Sequence, residues 1–254
     1  EIVIDLQAPS IAVLLEKGLF ETRSKAQAVI MAGNVLVNEQ KIDKSGTLID
    51  EKSEIRILGN NLKYVSRGGI KLEGALSEFA VSPKGKICLD IGASTGGFTD
   101  CLLQNSAEKI YAVDVGYGQM DLKVRNDQRV VVIERTNART LTAETLYEKG
   151  TEKDKYASLA VIDVSFISLS KILPAIHALL SEKGEVVALV KPQFEAGRKL
   201  VGKGGIIKDK STHDLVLKNT IGAAKSIGFT FVSSCTSPIK GADGNIEFLI
   251  HLIK

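Results

Sequence analysis

From residue 87 onward the chain alternates short, almost wholly apolar runs with helical patterns, and this alternation leaves few folds open. The runs are Ile87–Ile91, Ile110–Asp114, Val130–Ile133, Leu159–Asp163, Val186–Val190, Phe229–Val232 and Phe248–Ile253. A strand solvated on one face shows a polar residue at every second position, whereas a strand apolar throughout is covered on both faces. Helical spacing between the runs predicts helices ending near Gln104, over about Ser168–Leu180 and over about Ser211–Ile227. The alternation predicts an α/β fold, a mostly parallel sheet of seven strands with helices on both faces.

Residues 1–58 read as a separate, small α+β module. Ile11, Leu14, Leu15 and Leu19 recur at helical spacing, and Thr22 is placed to cap a helix over about Arg23–Ala32 that Gly33-Asn34 would close. Short β-like pieces follow at 35–38, 41–42, 47–49 and 54–57. Residues 59–64, with Gly59-Asn60-Asn61, read as a linker, and 65–254 as the large domain. No apolar run approaches the ~20 residues of a spanning helix. The first residues lack the basic start of a secretory signal. Cys88, Cys101 and Cys235 stand far apart, without a CxxC or a neighbouring His. A disulfide framework, a structural metal and membrane association are therefore not expected, and a reducing cytoplasm is the expected location. The three histidines read as structural.

Ligands of such sheets bind beyond the carboxyl ends of the strands. The first strand runs into Asp90-Ile91-Gly92-Ala93-Ser94-Thr95-Gly96-Gly97-Phe98-Thr99. This is neither the G-x-G-x-x-G of pyrophosphate binding nor a P-loop, so phosphate is not the expected ligand. Asp114, at the end of the second strand, is placed to accept both hydroxyls of a ribose. Glu134 and Asn137 follow the third strand, where an adenine edge would lie. An adenosine ligand without phosphate fits, namely S-adenosylmethionine, with Asp90 facing its amino group through the loop. The candidate cofactor residues are Asp90, Gly92, Ala93, Ser94, Gly96, Gly97, Phe98, Asp114, Val115, Glu134, Asn137 and Asp163. The plainer alternative is a glycine turn that only packs a helix on a strand.

The methyl acceptor is read at the ends of the fourth and fifth strands. Asp163-Val164-Ser165-Phe166 lacks the Pro-Pro-aromatic signature of amino-group methylation, and no cysteine nucleophile stands there or in Lys191-Pro192-Gln193-Phe194. Lys191 beside Asp163 is either a buried ion pair joining two strand ends or part of the catalytic apparatus. The residues by themselves leave both open.

Longer stretches carry a resemblance. Tyr64-Val65-Ser66-Arg67-Gly68-Gly69-Ile70-Lys71-Leu72, the glycine loop, Val113-Asp114-Val115-Gly116-Tyr117-Gly118-Gln119, Glu134-Arg135-Thr136-Asn137-Ala138-Arg139, Asp163-Val164-Ser165-Phe166-Ile167-Ser168-Leu169 and Lys191-Pro192-Gln193-Phe194-Glu195-Ala196-Gly197 resemble the TlyA (hemolysin A) family. The resemblance runs from about residue 13 to the end. It implies an S-four-type RNA-binding domain followed by an FtsJ-like, Rossmann-like methyltransferase domain acting on the ribose 2′-hydroxyl of cytidine in ribosomal RNA. It further implies a catalytic tetrad at Lys71, Asp163, Lys191 and Glu247, and ribosomal RNA or ribosomal subunits as partners. Pro9, Ser10 and Ile11 stand where the family usually has an Arg and an Asp, so either one RNA contact of the family or the start of the module differs there.

Residues 1–60 hold seven Lys/Arg against nine Asp/Glu, so RNA binding there would rest on a cluster, Arg23, Lys25, Lys41 and Lys44, and not on bulk charge. Residues 183–210 carry seven Lys/Arg against three Asp/Glu, and Arg198, Lys199 and Lys203 lie just past Lys191. These, with Arg67, are the expected RNA contacts. Tyr117 and Phe194 are candidates to stack on a base, although Phe194 also suits a core. The competing readings are a membrane-lytic protein, suggested by the family's second name, and an RNA-binding assembly factor without turnover.

Overall fold

The structure, a computed structural model, describes residues 7–20, 22–57, 63–147, 156–197, 200–241 and 244–254, and of Lys203 the backbone only. Arg198, Lys199, the side chain of Lys203 and residues 59–62 of the expected linker lie outside the described residues. The chain divides into two units, residues 1–62 and 63–254.

The first unit comprises β1 (Gln7–Pro9), α1 (Ser10–Glu16), α2 (Arg23–Met31), β2 (Val35–Val37), β3 (Gln40–Ile42), β4 (Leu48–Asp50) and β5 (Ile55–Ile57). β2 is the centre of a three-stranded antiparallel sheet between β3 and β5, while β1 pairs with β4. Ile11, Val13 and Leu14 of α1 and Ala26 and Ile30 of α2 meet Val35, Val37, Ile42 and Ile49 in one small core. Thr22 caps α2 as its sequence position suggests, its side chain accepting the Lys25 N–H at 3.3 Å. Ser10, at the position where the resembled family differs, is fully buried. Its hydroxyl donates to the carbonyls of Lys44 (3.3 Å) and Ser45 (3.1 Å), so that side chain ties α1 to the loop before β4.

The second unit holds β6 (Ile87–Ile91), β7 (Lys109–Val113), β8 (Val130–Ile133), β9 (Ala157–Ile162), β10 (Leu180–Val190), β11 (Thr230–Thr236) and β12 (Phe248–Ile253) in one seven-stranded sheet of order β11-β12-β10-β9-β6-β7-β8. β12 alone runs against its neighbours, between β10 and β11. Its helices are α3 (Gly68–Glu78), α4 (Gly97–Gln104), α5 (Leu122–Arg125), α6 (Ala143–Leu146), α7 (Leu173–Leu179), α8 (Pro192–Glu195) and α9 (Lys210–Ile227). One core, around Leu173, Ile176, Val186 and Val216, covers one side of the sheet. The other, around Leu72, Phe98, Leu102 and Ile110, covers the opposite side.

Three elements depart from the sequence reading. β10 begins at Leu180, with a register slip between Leu180 and Glu185, and the polar residues 181–183 hide its start. The helix expected over 168–180 is a 3-10 turn at Leu169–Lys171 followed by α7, which Pro174 in its first turn helps to start. β11 extends to Thr236 and alternates exposed with half-buried residues, the pattern of an edge strand.

Replacing Thr22 by Ala removes the cap of α2, at a cost of about 1 kcal/mol. Hydrogen exchange of the α2 amides should speed up by about fivefold, with the amides of the second unit unchanged. Equal protection in the variant would deny the cap a role in holding α2.

Candidate active site

The site forms where the chain, having laid β6, β7 and β8 side by side, crosses back to place β9 on the other side of β6. The backbone ladder continues past the strand ends there. The N–H groups of Gly92 and Ala93 donate to Val113 O at 2.8 and 3.2 Å, and that of Asp163 to Ile91 O at 3.0 Å. Gly92 has φ +84°, and a Cβ on it would strike the Asp163 carbonyl, so only glycine lets the loop lie on the end of β9. Gly97 answers a second close approach, because a Cβ there would strike the Ser66 hydroxyl at the start of α3. Two of the loop's glycines thus serve packing, as the plainer reading of the loop holds, and the packing forms the walls of the site.

Two adjoining cavities open on this loop, and Gly92, Ser94 and Asp163 line both. The larger, about 480 Å³, has apolar walls that include Val113, Val115, Ala138 and Ile172, with Asp114 and Asn137 among its polar groups. Asp114 is held rigidly, its two oxygens accepting the N–H groups of Ser94 (2.8 Å) and Gly116 (2.6 Å). Each oxygen keeps a lone pair for a ligand hydroxyl. Asn137 Oδ1 accepts the Arg139 N–H at 3.0 Å, which fixes the turn after β8. The smaller cavity, about 200 Å³, lies at the N-termini of α3 and α4 and is also lined by Ser66, Arg67, Lys71, Ala93, Phe98 and Lys240. Positive helix ends and cationic side chains suit a carboxylate. An apolar slot with a hydroxyl acceptor beside a carboxylate site is the donor set that the two ends of S-adenosylmethionine require.

The four polar residues of the resembled tetrad form two ion pairs. Lys191 Nζ lies 2.6 Å from Asp163 Oδ1 and donates to Ser165 Oγ at 2.9 Å. Lys71 Nζ donates to Glu247 Oε2 at 2.5 Å, and both side chains are almost wholly buried. Lys71 and Asp163 line the same cavity, so one member of each pair faces it, while Lys191 and Glu247 stand behind them. Charges this far from water persist only when paired.

Three expected cofactor residues line neither cavity. Glu134 Oε1 is taken by the Arg125 guanidinium and by the Gly118 N–H at 2.9 Å. Gly96 is the left-handed N-cap of α4, packed on Val124. Asp90 is fully buried behind the loop. Its Oδ2 accepts the Thr99 hydroxyl at 2.5 Å, and its Oδ1 has no partner among the described residues. Burial raises its pKa to about 7, with the charges of Asp163 and Asp114 adding to the shift and the Thr99 bond opposing it.

Among the expected RNA contacts, Arg23, Lys25, Lys41 and Lys44 are exposed on the first unit. Arg67 is exposed at the rim of the smaller cavity and donates to Lys240 O at 3.1 Å. Tyr117 is two-thirds exposed with the Arg135 guanidinium 4.2 Å from its ring centre, whereas Phe194 is partly covered by Phe166, 4.9 Å away. Phe166 itself is 89% exposed at the mouth of the larger cavity. Sequence reasoning missed Ser165, Lys240 and Glu195. Glu195 accepts the Ser168 hydroxyl (2.6 Å) and the Leu169 N–H (2.8 Å), joining the loop after β9 to α8. Ser165 sits inside a motif read only for the prolines that it lacks.

Comparison with known proteins places this geometry. The FtsJ-like methyltransferase family matches residues 64–254, and the S4 domain matches residues 12–55. The chain is 54% identical to YqxC of Bacillus subtilis over 94% of its own length and 83% of that protein's. It is 41% identical to the 16S/23S rRNA (cytidine-2′-O)-methyltransferase TlyA of Mycobacterium tuberculosis, over 95% of this chain and 88% of that one. A solved structure from Streptococcus thermophilus superposes with a TM-score of 0.76 at 46% identity, covering 98% of this chain and 89% of that one. The chain belongs to the FtsJ-like methyltransferases and carries an amino-terminal S4 domain.

Proposed function

We propose that this chain transfers the methyl group of S-adenosylmethionine to the ribose 2′-hydroxyl of cytidine in ribosomal RNA, as its relative TlyA is named for doing. The observation that carries this reading is the pairing of Lys191 with Asp163 and of Lys71 with Glu247, with Asp163 and Lys71 lining one of the two cavities. S-adenosylmethionine, when bound, supplies a methyl group on a sulfonium, which is already a good leaving group. The chain's task is then alignment and activation of the acceptor oxygen. Lys191 Nζ faces two acceptors, Asp163 and Ser165, and is arranged to donate. It is suited to stabilise the oxygen as negative charge develops on it. Asp163 fixes the direction of Nζ, while Glu247 holds Lys71 at the wall of the smaller cavity. The amino-terminal unit, through Arg23, Lys25, Lys41 and Lys44, and the rim residue Arg67 would bind the RNA backbone.

The other readings have less behind them. Among the described residues no helix is long and apolar enough to cross a membrane, so a lytic role lacks that support. A factor without turnover would not need a buried Lys71–Glu247 pair and a largely covered Lys191–Asp163 pair at a cofactor cavity, and these cost desolvation.

Lys191→Ala should lower methyl transfer to ribosomal subunits by at least about 100-fold while cofactor affinity stays within about twofold. Labelled S-adenosylmethionine and nuclease digestion would read the first, calorimetry the second. Near-normal turnover in the variant would remove Lys191 from the reaction. The pH dependence of stability tests Asp90. Its pKa in the folded chain, about 7, lies above the ordinary 3.8, so folding takes up a proton between these values. The stability that Asp90 contributes is full below about pH 4 and is lost as pH rises through about 7. In urea melts across this range, wild type should lose stability relative to Asp90→Asn as pH rises. Parallel curves would mean that Asp90 is ionised in the folded chain.

A further inference from the structure

A buried amide two residues before Glu247 has no part in the chemistry above. Asn245 is 1% exposed, and its side chain bridges to a different segment of the second unit. Its Oδ1 accepts the Ile207 N–H at 2.9 Å, and its Nδ2 donates to Gly205 O at 3.0 Å. One carboxamide thus satisfies a donor and an acceptor of the same stretch, as a neighbouring strand would. His213, on α9, closes the remaining group, its Nε2 lying 3.1 Å from Ile207 O. Ile207 is buried, while Lys208 and Lys210 beyond it are exposed. The carboxylate between them, Asp209, is turned onto the start of α9, where its Oδ2 accepts from the Thr212 N–H and hydroxyl (both 2.8 Å) and from the Ser211 hydroxyl (2.5 Å). Those bonds hold the Asp209 carboxyl down at about 2, so it stays charged and exposed, and Lys208, Asp209 and Lys210 together carry a net charge of +1.

The placement of this segment follows from the strand that leads into β12. Asn245 and Glu247 are both buried, whereas Ile246 between them is 38% exposed. The Asn245 side chain bonds the segment at 205–207, and the Glu247 side chain bonds Lys71. We infer that Asn245 is a positioning residue that straps segment 204–210 beside Glu247, so that Lys208 and Lys210 meet phosphates of the RNA strand entering the site. The inference rests on the RNA reading of the previous subsection. It adds a residue that governs RNA affinity without touching RNA, cofactor or the reacting atoms.

The test combines Asn245→Ala, the surface double variant Lys208→Ala/Lys210→Ala, and the triple variant, each as full-length chain. Binding to purified ribosomal subunits and methyl transfer are measured across a salt series. Each phosphate contact contributes about 0.7–0.9 to the slope of log affinity against log salt. Asn245→Ala should raise KM for RNA by about tenfold and flatten that slope by about 1.5, two contacts' worth. Its kcat and cofactor affinity should stay within about twofold of wild type. The double variant should match it, and the triple should be no weaker than either, because one contact set cannot be lost twice. An unchanged KM and slope, a fall in kcat at constant KM, or multiplying defects in the triple variant would each overturn the inference. Should Asn245→Ala fail to fold, judged by its melt and cofactor binding, the double variant decides alone, since an unchanged slope there rejects the strap. Loss of methyl transfer by wild type itself would instead count against the proposed function, and the salt slopes of binding would still decide the strap.

Discussion

The contact on which the rest of the site depends is between two backbones. Gly92 lies so close to the Asp163 carbonyl that a single added carbon would force them apart. This approach joins the end of β6 to the end of β9 at the crossover of the sheet, and the functional groups of the second unit hang from it. Asp163 leaves the contact on one side to meet Lys191. The loop leaves it on the other, letting the Ser94 N–H fix Asp114 and Gly97 pass close to Ser66. The two cavities share Gly92, Ser94 and Asp163 as a common wall, so a shift at the glycine would move both.

The electrostatics of the second unit follow from that compression. Lys71, Glu247, Lys191 and Asp163 are each at most one-fifth exposed, and each has an opposite charge as partner. Such pairs add little net stability, because desolvation offsets their attraction, but removing one member leaves a buried charge alone at a cost of about 3–5 kcal/mol. They act as orientation devices. Asp90 differs in having no cation beside it among the described residues, and it answers burial by favouring the protonated form.

Much of this was legible in the sequence because it depends on local pattern. The seven apolar runs became the seven strands, and the strand-end position of Asp114 put its carboxylate in the cavity. What the sequence hid depends on partners distant along the chain. The bond of Glu134 to Arg125 and the complete burial of Asp90 show only in the fold. The early start of β10 is masked by Ser181, Glu182 and Lys183, whose polarity suits a turn. It is the family resemblance, not spacing, that points to a tetrad, since Lys191 and Asp163 by themselves fit an ion pair and a catalytic role equally. Asn245 shows the same limit, for its role exists only where the segment at 205–207 comes back beside it.

The aromatic ring of Phe166 stands almost fully in water at the mouth of the larger cavity, with Val115, Tyr117 and Leu122 also exposed in this unit. Water ordered around such surface is released when a ligand covers it, and the thermodynamic mark of that release is a negative heat-capacity change. Ligand capture that covers this surface should therefore grow more exothermic as temperature rises. The hydrophobic share of its driving force should weaken in the cold. The rim thus gives the unliganded enzyme a thermal signature that its buried charges do not.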